Sequence, residues 1–428
     1  MFNHFLIDAL FVLCVVVIWF MLAYQFLLCV LGWLYSHQVA RERGALAART
    51  LELPRVSVLI PAHNEEIVLD ATLAAVSALR YPAGRLEIII INDASTDRTG
   101  EIADRWAARD PRLHVLHLIP SERAGGKSAA LNRGLAQARF ETVAVYDADN
   151  TPEPEALLHL ARQLAAHPDL GAVIGTFRCV NRHRNLLTRM ISIESLSYQW
   201  IVQAGRWMLM QVSSLPGTNL IIRRPLLESL GGWDESALTE DAELSIQIYE
   251  AGWKIKLVPY AVTWEQEPEK LSTWFRQRVR WARGNNYLVG KHVPRLLSIR
   301  PRRLGLELLY ALGMYYACFA AIVLSDLLFI LCVSQLVSVT LLGPFWQVWL
   351  LAMALFVAEV TLALSRTEGE DSLPNILLAA MSFFTYCQLW LLVVAKAARD
   401  DYLLRKPRTW AKTERFAPTP EPTANEKG

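Results

Sequence analysis

The stretch Leu86-Glu87-Ile88-Ile89-Ile90-Ile91-Asn92-Asp93-Ala94-Ser95-Thr96-Asp97 decides the fold. Four consecutive isoleucines are β-branched and present an apolar side chain to both faces of an extended chain, as in a strand buried on both sides. The Asn-Asp pair then stops the run at its carboxyl end. Working outward, the same plan recurs. A Val- and Ile-rich run at 56–60 stops at Pro61-Ala62-His63-Asn64-Glu65-Glu66, another lies at 113–117, and a third at 142–146 stops at Asp147-Ala148-Asp149-Asn150. Between them, residues 65–79, 99–109 and 127–138 carry helical periodicity. Short strands alternating with helices predict an α/β unit built on a parallel sheet. Ligands of such sheets gather outside the carboxyl ends of the strands, where each polar motif falls.

The rest of the chain is oilier. Of 428 residues, 53% are hydrophobic and 20% charged, which is apolar for a soluble protein and predicts a membrane part. A formal net charge of +2 excludes the strongly basic balance of a nucleic-acid-binding domain. The six cysteines show no zinc or disulfide spacing, and five lie in apolar stretches, so they read as packing residues.

Residues 5–35 are apolar with Asp8 as the only charge, longer than the roughly 20 residues that span a bilayer. The leader lacks Lys and Arg and the apolar run exceeds a signal-peptide core, so the expectation is a retained span. Arg41, Arg43, Arg49 and Arg55 follow it and place that side in the cytoplasm. From Leu304 to Ser365 there is no Lys or Arg, and residues 374–395 are again apolar. These stretches could hold three spans or four; the basic tail with Lys396, Arg399, Arg405, Lys406 and Arg408 favours four, two of them within 304–343 with a turn near Asp326. Residues 416–428, rich in Pro, Thr and Glu, read as disordered.

Several motifs admit both a chemical and a plain structural reading. Pro61, Ala62, Asn64 and Glu65 sit at a strand-to-helix turn, where acids also complement a helix dipole. Asp93 ends a buried strand, where a carboxylate can accept hydrogen bonds from a base or ribose. Gly125-Gly126-Lys127 opens a helix without Walker spacing, its Lys127 supplying positive charge. Asp147 and Asp149, one residue apart, offer oxygen ligands to a hard divalent cation, or are simply a polar strand end. Gly217-Thr218-Asn219 precedes a strand-like run, and Thr239-Glu240-Asp241 opens a helix. There Asp241, with Glu240 second, is either a capping acid or a general base. Gln277, Arg280 and Trp281 lie in a basic, aromatic-rich stretch that suits an interfacial anchor as well as a sugar platform.

The order Pro-x-x-Asn-Glu, Asn-Asp-x-Ser-x-Asp, Gly-Gly-Lys, Asp-x-Asp, Thr-Glu-Asp and Gln-x-x-Arg-Trp, running from Val56 to Gly284, resembles the family 2 processive glycosyltransferases. These include the poly-N-acetylglucosamine, chitin-oligosaccharide, hyaluronan and cellulose synthases. The resemblance implies a GT-A (Rossmann-like) α/β domain in the cytoplasm, inserted between transmembrane helices of the cell membrane, and an inverting transfer with Mg2+ or Mn2+. By that resemblance Asp93 contacts the uridine of a UDP-sugar donor, and Pro61, Ala62, Asn64, Glu65 and Lys127 belong to the donor site. Asp147 holds the donor, Asp149 with Asp147 binds the metal, and Asp241, with Glu240 beside it, is the base. Gly217, Thr218, Gln277, Arg280 and Trp281 shape the acceptor and diphosphate end. The partners implied are the donor, a polysaccharide acceptor, the lipid bilayer and accessory secretion or export subunits; nucleic acid is not among them.

Ser214 to Thr218 departs from the Phe-x-Cys-Gly-like segment of cellulose synthases, and the analogy favours N-acetylglucosamine. The expected division is a first span and linker at 1–53, the catalytic domain at 54–262 and interfacial helices at 263–303. Spans at 304–398 and a tail at 399–428 complete it. Two rivals use the same residues: a nonprocessive enzyme adding one sugar to a lipid carrier, which has no need of Gln-x-x-Arg-Trp, and a silent membrane subunit, which has no need of four convergent acids.

Overall fold

The isoleucine run forms the second strand from one edge of an eight-stranded sheet in the computed structural model, which describes residues 4–122, 125–296, 298–339, 345–407 and 414–416. The strands are β1 (Val56–Ala62), β2 (Leu86–Asp93), β3 (Leu113–Leu118), β4 (Thr142–Val145), β5 (Thr151–Pro152), β6 (Leu170–Cys179), β7 (Leu220–Arg223) and β8 (Lys254–Glu265), in the order β3-β2-β1-β4-β7-β6-β8-β5. Ile88, Ile90 and Ile91 are fully enclosed, as are Val58, Leu59 and Ile60 on β1. Each such side chain contributes about 1.5–3 kcal/mol of apolar burial. Helix Ala156–Ala166 shows how a helix covers the sheet: Leu157, Leu160, Ala161 and Leu164 recur at helical spacing and all are buried.

The sheet is mixed, which corrects the expected all-parallel arrangement. β1 pairs in parallel with β2 and β4, and β2 with β3, but β7 runs antiparallel to both β4 and β6. A hydrophobic run carries no direction, so the sequence pattern is the same either way. The reversal has a consequence for the site. Leu220 pairs with Val145, so Gly217 to Asn219, leading into β7, lie at the same edge as the residues that follow β4. Asn219 pins this joint by donating from Nδ2 to the Thr176 and Ala261 carbonyls. β8 also continues to Glu265, across the expected domain boundary at 262.

The helix expected from Glu65 begins at Leu69. Its would-be first turn is an ordered loop whose N–H groups go to side chains of the loop after β2. Asn64 N–H donates to Ser95 Oγ, Glu65 N–H to Thr99 Oγ1 and Glu66 N–H to Asp97 Oδ2. Asn64 and Ala94 have left-handed backbone, at φ 56° and 50°.

The chain separates into two units. The sheet unit comprises residues 43–192, 214–274 and 410–428, and a helical unit comprises 1–42, 193–213 and 275–409. Among the described residues four helices are long and apolar enough to cross a membrane: His4–Ala47, Tyr316–Val333, Gln347–Leu364 and Leu373–Leu403. Among the described residues one candidate span, not the expected two, lies within 304–343. Helix Phe319–Val333 runs straight through Asp326, because an isolated acid does not break a helix as Pro or Gly would. In the first helix, a Cβ on Gly32 would overlap the Trp200 carbonyl. On the facing helix a Cβ on Gly205 would overlap Leu28 O, so the two backbones touch there. Residues 417–428 of the expected disordered tail lie outside the described residues.

Candidate active site

Four chain segments meet at the carboxyl edge of the sheet. Lys127, first residue of helix Lys127–Gln137, extends Nζ to 2.5 Å from Asp147 Oδ1, just past β4. The same ammonium donates to Gly217 O at 2.8 Å and lies 3.9 Å from Glu240 Oε1, at the start of helix Glu240–Glu250. Burial opposes the Lys127 charge, but Asp147, Glu240 and Asp241 outweigh it and hold the group protonated beyond its ordinary range. Gly217, with φ 81°, threads between them. A Cβ there would stand 3.1 Å from Asp241 Oδ2 and 3.3 Å from Lys127 Nζ. Glycine is needed here twice, for the left-handed backbone and for the space.

Asp241 is fixed at the helix start. Its Oδ1 accepts from the Ala242 N–H at 2.8 Å, and its carbonyl accepts from Ser245 Oγ, which in turn accepts from the Leu215 N–H. Thr218 locks the other wall, accepting from the Asp147 N–H at 3.1 Å and donating to Asn150 Oδ1. The Gly-Thr-Asn turn and the Asp-x-Asp turn are therefore one structure.

The Asp149 side chain is only 5% exposed and pairs with Arg415, whose Nη1 lies 2.7 Å from Asp149 Oδ2. Arg415 belongs to a segment that Gln266 grips by two hydrogen bonds to the Phe416 backbone, while Lys270 pairs with Glu414 at 2.7 Å. Burial raises the Asp149 pKa, Arg415 opposes that rise and Asp147 adds to it. Glu265, at the end of β8, is raised strongly by its own burial and then by Glu267, Asp149 and Asp147. Concentrated negative charge thus surrounds Asp149, and a guanidinium supplies the compensating cation.

This arrangement fits a divalent ion of the kind that shares phosphate oxygens with its substrate. Mg2+ is typically bound by one or two carboxylates plus the phosphates, and Asp147 and Asp149 are such a pair. Among the described residues no group of three or more His, Cys, Asp or Glu side chains is placed to hold a metal ion.

At the other end of the same edge, β1 and β2 end side by side, with Ala62 opposite Asn92. Asp93 is buried there, and its carbonyl lies 2.6 Å from His63 Nδ1. Asn64 Oδ1 accepts from the Thr96 N–H. Pro61, Ala62, Asn64, Glu65 and Asp93 thus form one cluster, and Lys127, Asp147, Asp149, Gly217, Thr218, Glu240 and Asp241 another. Gln277, Arg280 and Trp281 belong to the helical unit, on helix Leu271–His292. Trp281 is 37% exposed, while Arg278, passed over by the motif count, is enclosed. Glu265 obeys the rule that singled out Asp93, an acid ending a buried strand; Arg415 carries no local sequence signal.

Residues 54–284 match the family model described as "Glycosyltransferase like family 2". The chain belongs to this family and is a glycosyltransferase with a GT-A-like α/β fold flanked by candidate membrane helices. It is 40% identical to the "Probable glycosyltransferase YdaM" of Bacillus subtilis (strain 168), over 96% of this chain and 98% of that one. A "Beta-monoglucosyldiacylglycerol synthase" of Nostoc sp. is 31% identical over 84% of this chain and 76% of its own. A "Poly-beta-1,6-N-acetyl-D-glucosamine synthase" of Staphylococcus epidermidis is 32% identical over 54% of each chain. Among solved structures, "Mannosyltransferase PcManGT from Pyrobaculum calidifontis in complex with GDP-Man and Mn2+" superposes with a TM-score of 0.53 over 92% of this chain and 99% of its own, at 22% identity. That likeness bears on the fold alone.

Proposed function

We propose that this enzyme transfers a sugar, N-acetylglucosamine in the first instance, from a UDP-sugar to the end of a growing β-linked polysaccharide. The observation that carries the transfer chemistry is the pair Lys127 and Asp241 facing each other across Gly217, with Asp147 and Asp149 alongside. Asp241 takes the proton from the attacking acceptor hydroxyl, and the displacement at the anomeric carbon proceeds in one inverting step with no enzyme nucleophile. Lys127 neutralises negative charge near the departing diphosphate. A bound Mg2+ or Mn2+, held by Asp149 and Asp147, supplies further charge stabilisation for the leaving group. Asp93, with Pro61, Ala62, Asn64 and Glu65, holds the nucleoside end. Gln277, Arg280 and Trp281 receive the acceptor, Trp281 offering an aromatic face to a sugar ring.

One observation favours a second reading, a lipid acceptor: the Nostoc relative, named for a glycolipid product, aligns well beyond the catalytic domain, whereas the staphylococcal synthase does not. Incubating purified protein in detergent with Mg2+ or Mn2+ and UDP-N-acetylglucosamine, UDP-glucose or UDP-glucuronate, with and without diacylglycerol, separates the two. Polymer in the aqueous phase supports the first reading; a single sugar on extracted lipid replaces it with the second; no UDP release from any donor removes both.

We read the membrane topology from parity. The chain leaves the sheet unit at Trp274, and residues 414–416 are bonded within that unit again. The intervening helices therefore cross the bilayer an even number of times, yet three candidates lie between, among the described residues. We assign the interfacial position to the third. Its helix breaks at Thr385, and Tyr386 and Trp390 bond Glu194. Asp401, just beyond, bonds Arg283 and Asn286 of the amphipathic helix Leu271–His292. That leaves three crossings in all, the amino terminus outside and both the catalytic unit and the tail in the cytoplasm. Export of the product through the membrane helices, and accessory subunits that assist it, belong to the same proposal.

A further inference from the structure

Within the helical unit, a charged network surrounds Glu194. Its Oε2 accepts from Arg278 Nη2 at 2.7 Å and from Tyr386 Oη at 2.8 Å, and its Oε1 accepts from Trp390 Nε1 at 2.8 Å. The Arg278 side chain is 1% exposed. Burying a guanidinium is unfavourable unless it is paired, and a buried pair is seldom better for stability than apolar side chains of the same volume. Neighbouring Trp274 and Ala282, one turn to either side on the same helix face, are themselves fully buried. An apolar residue at 278 would continue that stripe. The fold places an arginine there instead and surrounds it with a three-donor carboxylate.

What Arg278 touches indicates why. Its guanidinium carbon lies 4.1 Å from the centroid of the Trp281 ring and 5.9 Å from that of Trp390, and its Nη1 donates to Gln277 Oε1 at 2.9 Å. One cation therefore braces the indole at 281 and orients the amide at 277, two of the three residues read as the acceptor platform. Trp281 remains more than a third exposed, so the ring is held without being covered. A guanidinium free to rotate would not do this. Glu194 fixes it, and Tyr386 and Trp390 fix Glu194.

We propose that Glu194 is a positioning residue for the acceptor: through Arg278 it sets the orientation of Trp281 and Gln277, so that an incoming sugar meets a preformed platform. The proposal rests on the reading that Trp281 meets the acceptor, and deepens it. Three interactions that are individually ordinary converge on one carboxylate, and removal of that carboxylate releases the ring without touching substrate.

The test uses the full chain in detergent with UDP-N-acetylglucosamine, measuring donor hydrolysis alone and transfer to a β-linked N-acetylglucosamine oligosaccharide. Glu194→Ala is expected to raise the acceptor KM about tenfold while donor hydrolysis stays within about twofold. Glu194→Gln keeps the volume and the bonds to Tyr386 and Trp390, and is expected to show a smaller rise of about threefold, so a folded variant exists even if the alanine protein is lost. In a Trp281→Ala background, Glu194→Ala should add nothing. Multiplying losses, or hydrolysis falling in step with transfer, would show that Glu194 merely supports the fold. If Trp281→Ala alone leaves the acceptor KM unchanged, the acceptor reading of Trp281 fails. If Trp281→Ala raises it and the Glu194 variants do not, only the positioning role fails.

Discussion

Replacing Gly217 by Ala probes the catalytic geometry with a single methyl group. Two effects follow from the structure. At φ 81° an L-residue sits in the left-handed region, which adds about 1–2 kcal/mol of strain. In addition, the new Cβ would stand 3.1 Å from Asp241 Oδ2 and 3.3 Å from Lys127 Nζ, so both must yield by a few tenths of an ångström. If a misplacement of about 1 Å lowers a rate about 100-fold, a shift of a third of that predicts a loss of about fivefold in kcat. If Asp93 and its neighbours hold the nucleoside end, as proposed, donor affinity should change by less than about twofold. The assay is UDP release under saturating donor, with donor affinity from calorimetry and the thermal inactivation midpoint as the measure of strain. Gly252→Ala is the control: it has φ 85°, but a Cβ there meets nothing within 4 Å, so it should lower the midpoint by a similar few degrees and leave kcat alone. If Gly217→Ala turned over like the wild type while its midpoint fell as the control's does, Asp241 and Lys127 would not be the groups whose placement limits transfer.

Other outcomes follow from the same geometry. Asp241→Asn should abolish transfer and leave donor binding largely intact, read by UDP release and calorimetry; unchanged turnover removes Asp241 from the base role. Arg415→Ala strips Asp149 of its compensating cation and should tighten Mn2+ binding in the absence of donor severalfold, measured by electron paramagnetic resonance of free Mn2+; equal or weaker binding would mean that Arg415 and the metal do not compete for that carboxylate. Trp281→Ala should impair elongation more than donor hydrolysis, and an equal loss of both would count against its acceptor role. A reporter fused after Lys406 should report the cytoplasm, and one inserted near Gln335 the outside; a periplasmic signal from the first would overturn the parity argument.

Much of the catalytic unit was legible because burial on both faces writes itself into sequence. The runs at Ile88 to Ile91 and around Val143 are strands, and the acids that end them do converge at one edge. The direction of β7 was not legible, since alternation and β-branching are the same for a strand running either way. The helix expected from Glu65 starts only at Leu69: the acids at 65 and 66 mimic a capped first turn, whereas their N–H groups are claimed by Thr99 and Asp97 from a distant segment. Arg278 was within reach: counting from Trp274 by helical steps places it on the buried face, where an arginine calls for a partner. Arg415 was out of reach, because nothing in its neighbours foretells that it meets Asp149. The membrane helices show the same limit. Hydropathy counts apolar length, and length alone does not say whether a helix crosses a bilayer or lies along it.

The backbone contact between Gly32 and Trp200, mirrored by Gly205 and Leu28, makes the first helix more than a tether. Two glycines placed on opposite partners act like a tongue and groove: the helices close in one axial setting, and a displacement of a single residue brings a side chain where only a hydrogen fits. An unrelated apolar segment of equal length would hold the enzyme in the bilayer yet leave helix Ala204–Met210 without its seat. Exchange of this span between family members should therefore succeed only where both glycines travel together.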